Sequence, residues 1–135
     1  MSEVIREIHI EAQPETVFAY FTDSEKLVQW LGIEATLEPH TGGCFQVTIN
    51  QERKVIGEYL ELTPFSRIVV SWGWEGREDV PPGSSTVEIT LTPNAEGTLV
   101  RLRHYNLPET AISLHAKSWE HNLPSLKRVL EESNS

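Results

Sequence analysis

Between residues 33 and 105 apolar side chains recur at nearly every second position. From residue 108 to 131 they recur instead at steps of four, three, four, three and four: Ile112, Ala116, Trp119, Leu123, Leu126 and Leu130. The first period is that of strands with one buried face, the second that of one helix with one apolar stripe. Ahead of both, Ile8 and Ile10 alternate with Glu7, His9 and Glu11 as a first strand. Pro14 and Glu15 then open a short helix that buries Val17, Phe18 and Phe21. Thr22 and Glu25 have capping-box spacing for a second short helix, which carries Leu27, Val28, Trp30 and Leu31 and stops at Gly32.

The alternating region divides at its turns. Ala35 and Leu37 pair with Phe45, Val47 and Ile49 across Gly42-Gly43, and residues 54–62 pair with 67–74 across the Pro64 turn. Val87, Ile89 and Leu91 pair with residues 99–105 across Asn94 to Gly97, while the polar, Pro/Gly-rich residues 75–85 read as a mobile loop. The order predicts an α+β fold, in which a curved seven-stranded antiparallel sheet wraps around a long C-terminal helix and two short helices follow strand 1. A twisted sheet cannot cover a straight rod evenly, so a gap between the two is expected.

Length and charge narrow the classes. The chain's 135 residues fit a single domain, 1–135, able to bury roughly two-thirds of its unfolded surface. Eleven basic against twenty acidic side chains give a net charge of −9, which repels nucleic-acid phosphates and anionic lipid surfaces alike, so neither is expected as a partner. No apolar run reaches the ~20 residues of a membrane span, and the charged first ten residues do not resemble a signal peptide. A lone Cys44 agrees with a reducing compartment, and the expected location is cytoplasmic. Cys44 itself reads as a buried or sheet-facing structural thiol.

Three segments carry a resemblance: residues 8–32 (IHIEAQPETVFAYFTDSEKLVQWLG), 57–72 (GEYLELTPFSRIVVSW) and 118–130 (SWEHNLPSLKRVL). The Pro-x-x-Val-Phe helix start, Trp30-Leu31-Gly32, the Gly-x-Tyr ahead of Pro64, Trp72 and Trp119 stand in the order seen in the SRPBCC, or START-like, superfamily. The chain most resembles its Hsp90-ATPase-activator-homologue branch. The resemblance implies the helix-grip fold around a deep apolar cavity. The superfamily spans lipid and hormone binders, polyketide aromatase/cyclases and co-chaperone domains, so fold alone does not choose a function. Two positions depart from the pattern: Ser118 replaces a glycine common in relatives, and Pro124 interrupts the helix, where it removes the donor to Glu120 and is expected to bend the chain.

Alternation assigns the concave face to Leu37, Phe45, Val47, Val55, Tyr59, Val70, Trp72, Val87, Ile89, Val100, Leu102 and His104, closed from the helix by Ile112 and Trp119. Each aromatic reads as core or as ligand contact. Together, Tyr59, Trp72, His104 and Trp119 bring polar tips into an apolar space, with Phe45 as a further candidate contact, as in small-molecule pockets of ~300–1,000 Å³. His104 is the candidate catalytic residue, with a satisfied core histidine as the competing reading; His115 is expected at the cavity mouth, with Glu120 and His121 on the solvated side. The five histidines show no metal-ligand spacing, no cofactor motif is present, and no complete acid/base set can be assembled.

Three functions compete on these grounds. The first is binding of a small hydrophobic ligand, aromatic or acyl, in the cavity. The second is a cyclase- or hydratase-type enzyme using His104. The third is a protein-interaction or co-chaperone-like stress module. An Hsp90 homologue is the partner class the resemblance implies, although only the part related to the activator's C-terminal domain is expected here. A homodimer through a sheet edge or residues 75–85 is the other partner considered.

Overall fold

A computed structural model describes residues 3–133. Seven strands form one antiparallel sheet: β1 (Val4–Ile10), β2 (Glu34–Leu37), β3 (Cys44–Asn50), β4 (Arg53–Thr63), β5 (Arg67–Trp72), β6 (Ser85–Asn94) and β7 (Gly97–Tyr105). Helices α1 (Pro14–Thr22) and α2 (Ser24–Leu27) follow β1, and α3 (Glu109–Ser133) ends the chain. The strand order is β1-β7-β6-β5-β4-β3-β2, so the first strand closes the sheet beside the last, and everything else is hairpins. This is the antiparallel sheet and long C-terminal helix that the alternating pattern predicts, in the helix-grip arrangement that the resemblance implies.

Register explains which side chains meet. Val4, Val87 and His104 lie abreast across β1, β6 and β7; one step along, Ile89 pairs with Leu102, and then Leu91 with Val100 and Ile8. The same face continues through Ile68 and Val70 on β5 to Tyr59, Val55, Val47 and Phe45. Nearly all of these residues are buried, as the period of two requires. A bulge between Tyr59 and Glu61 absorbs one residue and leaves Leu60 exposed.

The short helices differ in detail from the expected boundaries. Pro14 opens α1 as anticipated, but the cap of α2 is Asp23 rather than Thr22. Its carboxylate accepts from the backbone N–H groups of Glu25 and Lys26, while the Thr22 hydroxyl bonds back to the Phe18 carbonyl. An aspartate one residue later satisfies two orphan donors at once and so wins the cap position. Gly32 follows with φ of +79°, where a side chain would also run into the Thr48 carbonyl.

Helix α3 is continuous through Pro124. Its inward residues are Ala111, His115, Trp119, Leu123, Leu126 and Leu130. The apolar pattern anticipates the last four; in the first two turns, however, Ala111 and His115 face inward, and Ile112 and Ala116 are half-buried. The stripe is rotated there by about one residue, which takes His115 from the expected mouth into the interior.

Candidate functional site

The interior between α3 and the sheet is filled by aromatic rings. Trp72 stands at its centre, with ring centroids 5.2 Å from Trp119, 5.6 Å from His104, 5.9 Å from Trp74 and 6.0 Å from Phe45. The void left is about 10 Å³, room for one water at most, and is lined by residues including Phe21, Trp30, Phe45, Trp72, Ile89 and Trp119. The expected cavity is therefore filled by the very side chains expected to furnish it.

Each polar tip has a definite place. Tyr59 donates to the Phe21 carbonyl at 2.9 Å and the Trp30 indole to the Tyr20 carbonyl at 3.0 Å, so two aromatic donors satisfy carbonyls at the C-terminal end of α1. Burial, with a lesser contribution from Cys44, pushes the Tyr59 phenol upward, which keeps it a donor. Cys44 is half-buried, with its Sγ 3.6 Å from the Thr36 carbonyl.

The histidines are fixed by their neighbours' chemistry. Trp119 Nε1 donates to His104 Nδ1 at 3.1 Å, and an indole nitrogen can only donate, so Nδ1 is the bare nitrogen. Ser85 Oγ uses its one proton on the Trp72 carbonyl at 2.7 Å; it must accept from His104 Nε2–H at 2.9 Å. In the same way Trp74 Nε1 donates to His115 Nε2 at 3.0 Å, and His115 Nδ1–H donates to the Ala111 carbonyl at 2.8 Å. Both rings are neutral with a single tautomer each, and neither can gain a proton without losing an indole hydrogen bond. Burial, and secondarily the adjacent His115, drives His104 down to about 3; burial also lowers His115.

The pattern does not name Ser85, Trp74 or Val80 among the concave-face residues: Val80 and Ser85 fall in residues 75–85, and Trp74 ends the strand 67–74. Ser85 was legible, since Ser85, Val87, Ile89 and Leu91 share one alternation and the strand starts where residues 75–85 were read as loop. The connection from β5 to β6 is docked rather than loose: Val80 is fully buried, its carbonyl accepts from Trp74 N at 2.8 Å, and Arg53 lies 4.4 Å over the Trp74 ring. Gly73 permits this, because a Cβ there would collide with the Pro81 carbonyl. Phe45, Tyr59, Trp72, His104, His115 and Trp119 thus share one interior, and Glu120 and His121 are exposed.

Among the described residues no group of three or more His, Cys, Asp or Glu could hold a metal ion, and no helix is long and apolar enough to cross a membrane.

The geometry has counterparts. A family model described as Activator of Hsp90 ATPase homolog 1-like protein matches residues 11–131. A solution structure of an AHSA1-like protein from Rhizobium etli is 43% identical, with 96% of this chain and 81% of that one covered, at a TM-score of 0.76. A Mesorhizobium loti protein superposes at a TM-score of 0.87 with 21% identity, over 97% of this chain and 98% of that one. The Aha1 dimer from Colwellia psychrerythraea does so at 0.83 with 23% identity, over 97% of each chain. No curated protein matches.

Proposed function

The chain belongs to the family of Activator of Hsp90 ATPase homolog 1-like proteins, and from that premise we propose that it binds a small apolar ligand, aromatic or acyl, between the sheet and α3. One observation carries this reading. Helix α3 runs close to β1 but makes no comparably close approach to β3, β4 or β5. Side chains rather than backbone fill the space there, around a residual void adjoining Trp72 and Trp119. Displacing one indole opens a volume the size of a bicyclic ring without breaking the sheet. The connection containing Val80 is joined to α3 by the Trp74–His115 hydrogen bond.

Enzymatic use of His104 has no support in this geometry. Both of its nitrogens are engaged, and a group held near 3 is a poor base at neutral pH. The functional unit is one domain, 1–135, supported by the single sheet that joins the first strand to the last.

The test is a thermal-shift and tryptophan-fluorescence titration with indane, an apolar bicyclic probe. Binding at ~100 times the dissociation constant adds about 2.7 kcal/mol to stability. An unchanged midpoint and an unchanged emission spectrum at probe saturation would sink the proposal. One observation favours a second reading, a co-chaperone-like interaction module: the interior is already filled. Absence of probe binding, together with a dimer in sedimentation velocity or capture by a purified Hsp90 homologue, would select it.

A further inference from the structure

Two buried side-chain hydrogen bonds tie the front half of α3, from Glu109 to Trp119, to the rest of the protein, and they are chemically alike. Trp119 donates its indole hydrogen to His104 Nδ1 of β7 at 3.1 Å, and Trp74, just beyond β5, donates its own to His115 Nε2 of α3 at 3.0 Å. In each the acceptor is the bare nitrogen of a neutral imidazole. The two imidazoles are themselves neighbours, edge to face with ring centroids 5.0 Å apart, at 0% and 2% exposure.

A proton on either ring ends its bond, because an imidazolium presents N–H at both nitrogens and leaves an indole no acceptor. A proton on both would set two buried charges side by side. The charges that bear on the pair come from three elements: His115 acts on His104, while Arg53 of β4 and Arg77 and Asp79 of the connection from β5 to β6 act on His115. Arg77 and Asp79 are paired with each other at 2.7 Å, and Arg53 lies 4.4 Å over the Trp74 ring. None of these groups offers an imidazolium an unpaired carboxylate.

The rear half of α3 is tied without any imidazole. Lys127 donates to the His9 carbonyl and to the Glu131 carboxylate, and Lys127, then the Glu11 amide, holds that carboxyl below the usual carboxylate range, so these ties stay made at pH 5. Where the halves meet, Pro124 gives the Glu120 carbonyl no helical donor. At the other end the chain enters α3 through Asn106, whose φ is 65°.

We propose that His104 and His115 form a proton-operated latch: acid releases the front half of α3, and with it the connection held through Trp74, from the sheet, while the aliphatic seam from Leu123 to Leu130 stays closed. The device stands whether or not a ligand binds, and it differs from acid unfolding in leaving the seam intact. In the released state the imidazoles titrate near the ordinary 6.5, whereas His104 in the closed state, held down to about 3, is still neutral at pH 5. Between pH 7.5 and 5 the opening constant therefore rises about thirtyfold through His104 alone, and His115 raises it further.

Hydrogen exchange of the indole N–H groups reads the latch directly. The Trp74 and Trp119 hydrogens are the bonds in question, and Trp30 is the control, since it donates to a backbone carbonyl that does not titrate. Corrected for intrinsic exchange, the opening constants of Trp74 and Trp119 should rise about thirtyfold or more from pH 7.5 to 5 and exceed that of Trp30 at pH 5. One opening constant shared by all three indoles at every pH would make the release global unfolding and overturn the proposal, as would constants at Trp74 and Trp119 that do not change with pH. His104→Asn and His115→Gln each place an amide oxygen near the bare nitrogen they remove. The double variant should keep both bonds and lose the pH dependence; an undiminished pH dependence in it would also overturn the latch. The wild-type measurement decides even where the double variant does not fold.

Discussion

The two halves of α3 meet the sheet in different ways. Beyond Trp119 the contact is aliphatic and close: Leu123, Leu126 and Leu130 are buried in the same core as Ile10 at the end of β1. Polar ties reinforce it, since Lys127 Nζ donates to the His9 carbonyl at 2.7 Å and Glu131 accepts from Glu11 N at 3.0 Å. Before Trp119 the helix stands off, and two histidines, three tryptophans and a serine bridge the distance. Saturated side chains in direct contact make a fixed seam. Flat rings joined through a few side-chain hydrogen bonds make a filling that can be rearranged.

Substitutions can break this contrast. Trp119→Ala removes the helix's own indole from the bridging half and should cost about 4 kcal/mol by urea unfolding. It should also increase stabilisation by indane, because the new cavity is the proposed site. Leu126→Ala should cost about 3 kcal/mol without any gain in indane response. An equal gain at Leu126 would erase the distinction between the halves.

Between pH 6.5 and 5 acidification acts on the bridging half. His104 is held down to about 3, chiefly by burial and then by His115, against an ordinary value of 6.5. The unfolded chain takes the proton first, so this contribution to stability is complete above pH 6.5, falls as the pH drops below it and is gone near pH 3. The slope is about 1.4 kcal/mol per pH unit, or roughly 2 kcal/mol between pH 6.5 and 5, and His115 adds loss of the same sign. Urea midpoints across this range check it; a flat profile would mean that the rings protonate in place. The smallest effect belongs to Ser85→Ala. His104 Nδ1 must still accept from Trp119, so in the variant Nε2–H is left without its acceptor, at a cost of about 1 kcal/mol by the urea midpoint.

Much of this was legible before any coordinates. The period-two runs gave the strands and their inward faces because one buried face leaves little choice of register. Leu123, Leu126 and Leu130 were legible for the same reason on the helix. The rotation that buries His115 was not, because Ile112 and Ala116 continue an apolar pattern that the hydrogen bonds of His115 override. Nor could the sequence show that Tyr59 would be used on the end of α1, or that Trp72, Trp74 and Trp119 would occupy the expected cavity. Those outcomes depend on distances between elements far apart in the chain. Ser85 is the exception, a residue readable from its alternation with Val87 but hidden by the prolines and glycine just before it.

The central claim, that the bridging half accepts a ligand while the aliphatic seam does not, is most directly tested by methyl NMR during an indane titration. The prediction is that methyls of Val70, Val87 and Ile89, which line the void, shift with saturation while those of Leu126, Leu130 and Ile10 stay within the line width. Shifts of equal size in both groups, or none in either, would contradict it.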